Sequence, residues 1–378
     1  MDYVTLKYST TDSDGEEIKI HVDATEINLV QMDIKSIDLS PVRHLRRLER
    51  LTLAENPIVE VDLSPLRECS SLRELCLRWD QLEKIDLRPL SSCLELSELD
   101  LSSNLIETVD LGPLSECVNM RSLYLSDNAL RSVNLAPLVD CQSLRYLGVT
   151  HNQLEQVDLQ PLRQCPRLTY LGLTNNRLTG IDLSPLRGCP ELKRLELERN
   201  LLRKIDLGPL SDCRHLEYLN LRGNELQEVD LTPLGQAGSI RYLFLSDNQI
   251  VDADLRPLQR CSRLEELHLD GNRIERIDLT PLRSCNALRE LSLAENRLRE
   301  IGLDPLGGLE ELRVLDLRDN PFDSVDVSPL FSCPKLKRFD AEHSGPGRAV
   351  ILRADRALES RAELPRAVSD FRTRIEWT

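Results

Sequence analysis

No stretch of the chain approaches the roughly eighteen consecutive apolar residues of a membrane-spanning helix, which excludes a helical span. Nor is there a long run of either charge: 63 acidic against 48 basic residues leave a net charge of −15. An acidic protein repels phosphate, so a general nucleic-acid binder and a membrane-surface protein are both disfavoured. Histidine is scarce, and its six residues, His21, His44, His151, His215, His268 and His343, are too scattered to suggest a triad. The sequence has no glycine-rich phosphate loop and no cluster of metal ligands at a known spacing, so nothing in it points to catalysis, a cofactor or a metal. The first nine residues contain no apolar core of signal-peptide length, and the expected location is the cytosol or nucleus.

What the chain does have is a period of 24 residues from Asp38 to about Ser344. Asp62 to Ile85 reads DLSPLRECSSLRELCLRWDQLEKI, and Asp158 to Ile181 reads DLQPLRQCPRLTYLGLTNNRLTGI. The consensus is D-L-x-P-L-x-x-C-x-x-L-x-x-L-x-L-x-x-N-x-L-x-x-I. Proline fills all thirteen expected positions, from Pro41 and Pro65 through Pro305 and Pro329, which is 13 of the chain's 20 prolines and cannot be chance. Leu75 and Leu77 alternate with Glu74, Cys76 and Arg78, the pattern of a strand with one buried face. Leu66, Cys69 and Leu72 follow Ser64-Pro65 at a spacing of three. This predicts a short helical or 3₁₀ turn, with a hydroxyl cap and proline at the first helical position. Asparagines recur at Asn56, Asn104, Asn128, Asn152, Asn176 and onward to Asn320, where a short amide can satisfy backbone groups of the turn leaving the strand. Asp80 is the one departure inside the array.

The half-unit L-x-x-L-x-L-x-x-N-x-L resembles the leucine-rich repeat signature, and the resemblance covers about Ile27 to Ser344. It implies an α/β solenoid, a horseshoe with a parallel concave β-sheet of about 13–14 strands and short helical or 3₁₀ turns on the convex side. Three segments are expected: an N-terminal cap at 1–37, the repeat array at 38–343 and a C-terminal cap at 344–378. In the first, VTLKYS (Val4 to Ser9) and IKIHV (Ile18 to Val22) flank Asp12-Ser13-Asp14-Gly15 and read as a hairpin. Ile27, Leu29 and Ile34 keep the repeat register, which places one extra strand before Asp38, with Met32 where asparagine is usual. In the last, Ser344-Gly345-Pro346-Gly347 breaks the pattern. Val350, Ile351, Leu352, Phe371, Ile375 and Trp377 beyond it are expected to pack on the final rung.

Ten of the eleven cysteines share one repeat position: Cys69, Cys93, Cys117, Cys141, Cys165, Cys189, Cys213, Cys261, Cys285 and Cys333. Leu45, Ala237 and Leu309 replace them elsewhere, so the position calls for a small buried hydrophobe, which a free thiol is. A ladder of disulfides is the alternative, and it requires close Cα atoms and an oxidising compartment. Cys76 points outward on the concave face. The nearest concave histidine, His151, is three rungs away, roughly 14 Å at the usual strand spacing, which excludes a Cys-His dyad on a rigid sheet.

Concave positions are the outward residues of each strand and the one after it, such as Tyr146, Gly148, Thr150 and His151. Ten aromatic residues lie between Asp38 and Ser344, and these few positions hold seven of them: Trp79, Tyr124, Tyr146, Tyr170, Tyr218, Tyr242 and Phe244. Phe322, Phe331 and Phe339 are left for the core. Tyr146, Tyr170, Tyr218 and Tyr242 share a column, with Arg194 in the rung between the pairs, and Gly148 and Gly172 beside them leave open floor. The same column holds Arg50, Glu74, Glu98 and Ser122 on one side and Glu266, Glu290, Val314 and Arg338 on the other. An aromatic centre with a polar rim is interface anatomy, whereas tyrosines serving only sheet stability have no reason to cluster centrally. The expected partner-binding residues are Trp79, Tyr124, Tyr146, Tyr170, Arg194, Tyr218, Arg222, Tyr242, Phe244 and His268.

Two charged groups need a reading of their own. Glu266, His268, Asp270 and Glu290 can approach one another, and they read as solvated charge, because an open sheet implies no cation pocket. Arg194, Glu196, Glu198, Arg199 and Arg222 alternate in sign and read as mutual neutralisation or partner orientation. The expected function is a non-catalytic module, a monomer, that binds a protein or peptide on its concave face. One alternative is a regulator of another enzyme, such as a GTPase-activating factor, with Arg194 or Arg222 supplied in trans. The 24-residue repeat departs from the longer repeats of the best-known activators. A purely structural assembly repeat is the other, and rung-to-rung variation on the concave face speaks against it.

Overall fold

Repeated leucines dictate the architecture. In every 24-residue unit but the last the central residue of a three-residue strand is buried and its neighbours face outward, as in Glu74–Cys76, where Leu75 is buried, Glu74 exposed and Cys76 half-buried. The computed structural model describes residues 2–342, 350–360, 365–371 and 374–378. His343 and the expected Ser344-Gly345-Pro346-Gly347 break lie outside the described residues. The chain divides into two compact units, Met1–Leu192 and Lys193–Thr378. Each carries seven of the fourteen short parallel strands of the repeats. Adjacent strands pair in register across a whole repeat, so that Leu75 faces Leu99 and Leu219 faces Leu243. This is the leucine-rich repeat solenoid that the sequence pattern implies.

The side opposite the sheet is built from 3₁₀ turns, and the spacing of the buried residues explains why. In the Ser64–Glu68 rung, Leu66 N–H donates to Leu63 O, Cys69 N–H to Leu66 O and Leu72 N–H to Cys69 O, at 2.9, 2.9 and 3.0 Å. Three residues per turn aligns Leu66, Cys69 and Leu72 on one side, where all are buried. Among the described repeats Thr232–Ala237 departs as an α-helix. It ends at Gly238, whose φ of 69° is the left-handed conformation that glycine adopts readily. No helix among the described residues is long and apolar enough to cross a membrane.

Two details of the turn differ from the sequence expectation. The hydroxyl of Ser64 does not cap the helix, and Pro65 is its second residue, because the helix already starts at Ser64. The aspartate two residues earlier takes the capping role: Asp62 Oδ1 accepts the Ser64 N–H at 2.9 Å, and Asp158 and Asp278 do the same for Gln160 and Thr280. Because only a backbone N–H is needed, the residue before proline is free to be Ser, Thr, Gly, Arg or Gln. A side-chain hydrogen bond from Arg88, with the backbone bond of the same residue, holds the Asp86 carboxyl down to about 2.

The asparagines tie rung to rung. Asn152 Nδ2 donates to Leu125 O of the preceding rung at 3.0 Å and to its own Val149 and Thr150 carbonyls at 3.3 and 3.1 Å. Its Oδ1 accepts Leu130 N–H at 3.0 Å. Asn176, Asn224, Asn248, Asn272 and Asn296 repeat the pattern. Asp80 cannot. Its Oδ1 accepts Asn56 N–H at 2.9 Å, but among the described residues Oδ2 is buried without a partner where the other rungs offer an amide donor. Burial pushes this carboxyl up to about 7, opposed in part by the Asn56 hydrogen bond.

All eleven cysteines are free thiols in this structure, and the ten at the repeat position are buried. Thiols of this column point at carbonyls of the rung before, as from Cys93 to Leu66 O at 3.4 Å and from Cys189 to Leu162 O at 3.2 Å. Burial pushes the Cys69 and Cys117 thiols up to about 11 and those of Cys93, Cys141 and Cys165 to about 12.

At the start of the chain, Tyr3–Thr10 and Glu16–His21 form the expected hairpin, and Tyr3–Thr10 also pairs with Ile34–Asp38. The extra strand is Glu26–Asn28, parallel to Arg50–Thr52. Met32 takes the asparagine position, and its N–H donates to Asn56 Oδ1 at 3.0 Å. At the other end Ser324–Asp326, Ile351–Ala354 and Ile375–Trp377 make a second small parallel sheet. Phe371 packs on Phe339 and Trp377 on Phe331, with ring centroids 5.1 and 6.1 Å apart. Phe322 and Phe331 are core residues, whereas Phe339 is only half-buried.

Two expectations follow. The folded-state pKa of Asp80 is raised, so its contribution to stability is fully present below the unfolded-state value near 4 and is lost as pH rises through about 7. Asp80→Asn supplies the missing donor, and urea unfolding should show it more stable than wild type by about 1–3 kcal/mol at pH 8. That advantage should shrink as pH falls from 7 to 4, and a difference constant across this range would contradict the reading. Second, a thiol reagent should modify no more than Cys76 in the native protein and all eleven cysteines after denaturation. Rapid reaction of several native thiols would show that the column is open.

Candidate partner-binding surface

The sheet face is assembled by register. Because Tyr170 faces Tyr146 and Gly172 faces Gly148, the aromatic and glycine columns of the first unit run side by side. Tyr124 sits opposite Gly148, in the glycine column, one rung earlier. Its ring leans on Tyr146 at a centroid distance of 4.5 Å, and Tyr146 and Tyr170 stack at 4.3 Å with planes 2° apart. All three rings are half-buried. The open floor expected at Gly148 and Gly172 is not there, because the tyrosines lie over both glycines. A Cβ on Gly172 would lie 2.5 Å from the Tyr170 hydroxyl oxygen and 2.9 Å from Thr150 Cγ2. Glycine here lets the rings lie flat on the sheet and leaves no space beneath them for a ligand.

The second unit carries its own cluster. Tyr218 faces Tyr242 across neighbouring strands, with centroids 6.1 Å apart, and Phe244 approaches Tyr218 at 5.3 Å and His268 at 4.9 Å. The Arg194 guanidinium carbon sits 3.8 Å above the Tyr218 ring, a cation–π contact, while Arg194 also pairs with Glu196. Burial raises the Tyr218 hydroxyl pKa. Arg222 is held by Asp247 at 2.8 Å. Glu198 approaches Arg199 at 3.6 Å and accepts from Asn220 at 2.9 Å, in keeping with the neutralisation expected of this alternating group.

Trp79 and His151 lie at the rim of the first unit. Both occupy the position before the Asn or Asp of the turn, and there the backbone is left-handed: φ is 58° at Trp79, 52° at His151 and 52° at Arg199. The conformation is uncommon for a side chain, and it recurs at this repeat position before Asp80 as well as before the asparagines. Trp79 is 64% exposed above a depression lined by Glu55, Pro57 and Gln81, and His151 pairs with Asp127 at 2.9 Å. Cys76 is half-buried, with Sγ 3.9 Å from Asp100 Oδ2 and its thiol pKa raised by burial.

One feature of the surface escapes a reading of strands alone. Glu265, which precedes a strand and is 6% exposed, pairs with Arg241 and Arg289, and Arg241 reaches Glu217 at 3.4 Å and stands 5.3 Å from the Tyr242 ring. Burial alone would raise the Glu265 carboxyl, but the hydrogen bond and charge of Arg241, with the charge of Arg289, bring it below its ordinary value. The visible signal is alternating sign at the repeat spacing: Glu217, Arg241, Glu265, Arg289. The left-handed turn has a weaker one, since glycine appears there at Gly223 and Gly271, both with positive φ.

Known proteins share this architecture. A solved leucine-rich repeat protein of Leptospira interrogans is 23% identical with a TM-score of 0.72, and the match covers 89% of this chain and 80% of that one. The functional domain of InlJ from Listeria monocytogenes, which includes a cysteine ladder, is 20% identical with a TM-score of 0.69, covering 92% and 73%. The plant peptide hormone receptor RGFR1 in complex with RGF2 is 21% identical with a TM-score of 0.64; the match covers 84% of this chain and 53% of the receptor, about half its length. No curated protein matches the chain by sequence. The profile of the leucine rich repeat matches residues 95–154, 166–226, 214–274 and 262–322, more than half of the chain. With those matches, the in-register parallel strands and the asparagine that recurs at the turns, the chain belongs to the leucine-rich repeat family.

Proposed function

We propose that the protein is a non-catalytic interaction module that binds a protein or peptide on the sheet face, through the aromatic clusters around Tyr124, Tyr146 and Tyr170 and around Tyr218, Tyr242 and Phe244. The observation that carries this reading is the clustering itself: half-buried rings gathered on one face and bordered by charge. Large amphipathic side chains in that setting contribute most to protein–protein affinity. Trp79, Arg194, Arg222 and His268 complete the surface. The likeness to a receptor solved with its peptide hormone supports a protein or peptide ligand by analogy, since fold alone does not carry function. The net charge of −15 favours a protein over a nucleic acid, and the eleven free thiols fit a reducing compartment such as the cytosol. The column of buried cysteines parallels the cysteine ladder of InlJ.

The enzyme-regulator reading loses ground on the arginines it needs. Arg194 is committed to Glu196 and the Tyr218 ring, and Arg222 to Asp247, so neither extends as a catalytic finger without breaking those contacts. A pure assembly repeat does not account for aromatics confined to some rungs.

The test is affinity capture from source lysate followed by titration of the purified partner against three proteins: wild type, a Tyr146→Ser/Tyr170→Ser variant and a Tyr218→Ser/Tyr242→Ser variant, each checked for folding by circular dichroism. At least one variant should bind about thirtyfold or more weakly, the loss of about 2 kcal/mol that marks a hot spot. Equal affinity for all three proteins would move the site off the sheet face.

A further inference from the structure

Glu266 and Glu290 occupy facing positions on neighbouring parallel strands of the second unit, and His268 lies two residues beyond Glu266 on the same face. Like charges directly opposite destabilise a sheet. Burial raises the Glu266 carboxyl, opposed in part by His268, and the neighbouring Glu290 adds to the rise. The first unit contains a similar pair, Glu74 facing Glu98, with no histidine beside it, so the carboxylates by themselves signify nothing. The imidazole makes the difference. Its Nε2 is shut off from solvent and has no hydrogen-bond partner among the described residues. That atom lies 3.8 Å from Glu266 Oε2 and 3.5 Å from Glu290 Oε1.

These separations are too long for an N–H···O hydrogen bond, which needs about 2.7–3.2 Å. They suit two ligands on one ion. Bonds of about 2.0–2.2 Å at a tetrahedral angle place neighbouring donor atoms about 3.4 Å apart. All three donor atoms lie within 4.8 Å of one another, so a small closure completes the set. Phe244 packs edge-on to the imidazole and fixes its plane, with planes 74° apart. Asp270, which accepts from Ser246 Oγ at 2.7 Å, stands 3.9 Å from the other ring nitrogen, beyond hydrogen-bond distance.

We propose that Glu266, His268 and Glu290 form a three-ligand site for one divalent transition-metal ion, zinc or a first-row neighbour, bridging two adjacent rungs of the sheet. A nitrogen donor beside two carboxylates suits such an ion better than calcium or magnesium, which take oxygen ligands. Three protein ligands leave a coordination position for water or for a carboxylate or imidazole of a partner. The site goes beyond the interaction surface proposed above and does not rest on it.

The test uses the full chain carrying Cys76→Ser, which removes the accessible thiol, and titrates ZnCl₂ by calorimetry and CoCl₂ by visible absorption. The expected result is one ion per chain, with the cobalt d–d bands of a four- or five-coordinate nitrogen–oxygen site. His268→Ala should weaken binding at least a hundredfold. Glu290→Gln, an isosteric change at a half-exposed position that is safe for folding, should weaken it at least tenfold. Absence of binding, or wild-type affinity in either variant, would overturn the proposal. Because no partner enters the experiment, its failure is distinguishable from failure of the interaction reading.

Discussion

The structure depends on one small group, the carboxamide at the end of each strand. Its two faces differ: Nδ2 donates to carbonyls of its own turn and of the rung before, while Oδ1 accepts an N–H of that earlier rung. A buried backbone group without a partner is costly, and the turn leaving a three-residue strand has several to satisfy. One asparagine satisfies them in both rungs at once. It therefore ties each rung to the one before. Asp80 shows the constraint by violating it, since a carboxylate in the same place leaves one oxygen buried and unpaired.

What the lock provides is display. With register repeated over each unit, a side chain on the sheet face has its neighbours decided by position alone, 24 residues away on either side. Tyr146 and Tyr170 stack because their strands are in register, and Gly148 and Gly172 let the rings lie flat. Arg194 reaches the Tyr218 ring, and Phe244 reaches His268, by the same arithmetic. The leucines and cysteines behind the sheet are nearly invariant from rung to rung, so the variation lies almost wholly on the exposed face. An interaction module needs this division between a constant scaffold and a variable surface.

Much of this was legible from the chain. The period, the parallel strands, the 3₁₀ return and the buried thiols follow from positions such as Leu66, Cys69, Leu72 and Asn152, which are read directly. The errors came from what residue type does not encode. Ser64 and Pro65 look like a cap and a first helical residue, yet the carboxylate of Asp62 is nearer to the N–H that needs an acceptor. Gly148 and Gly172 look like open floor until the tyrosine rotamers place rings over them. The orphaned Nε2 of His268 depends on side-chain direction, and sequence spacing does not report it.

The claim at the centre of this account is that the amide lock carries the rungs, and it is tested most directly by urea unfolding of Asn152→Ala. The Asn152 side chain makes four hydrogen bonds, none of them to a residue proposed for binding. Loss of the amide should leave the carbonyls of Leu125, Val149 and Thr150 and the N–H of Leu130 without it, at a cost of about 2–4 kcal/mol. A cost below about 0.5 kcal/mol would mean that leucine packing alone holds the register and that the asparagines are incidental to it.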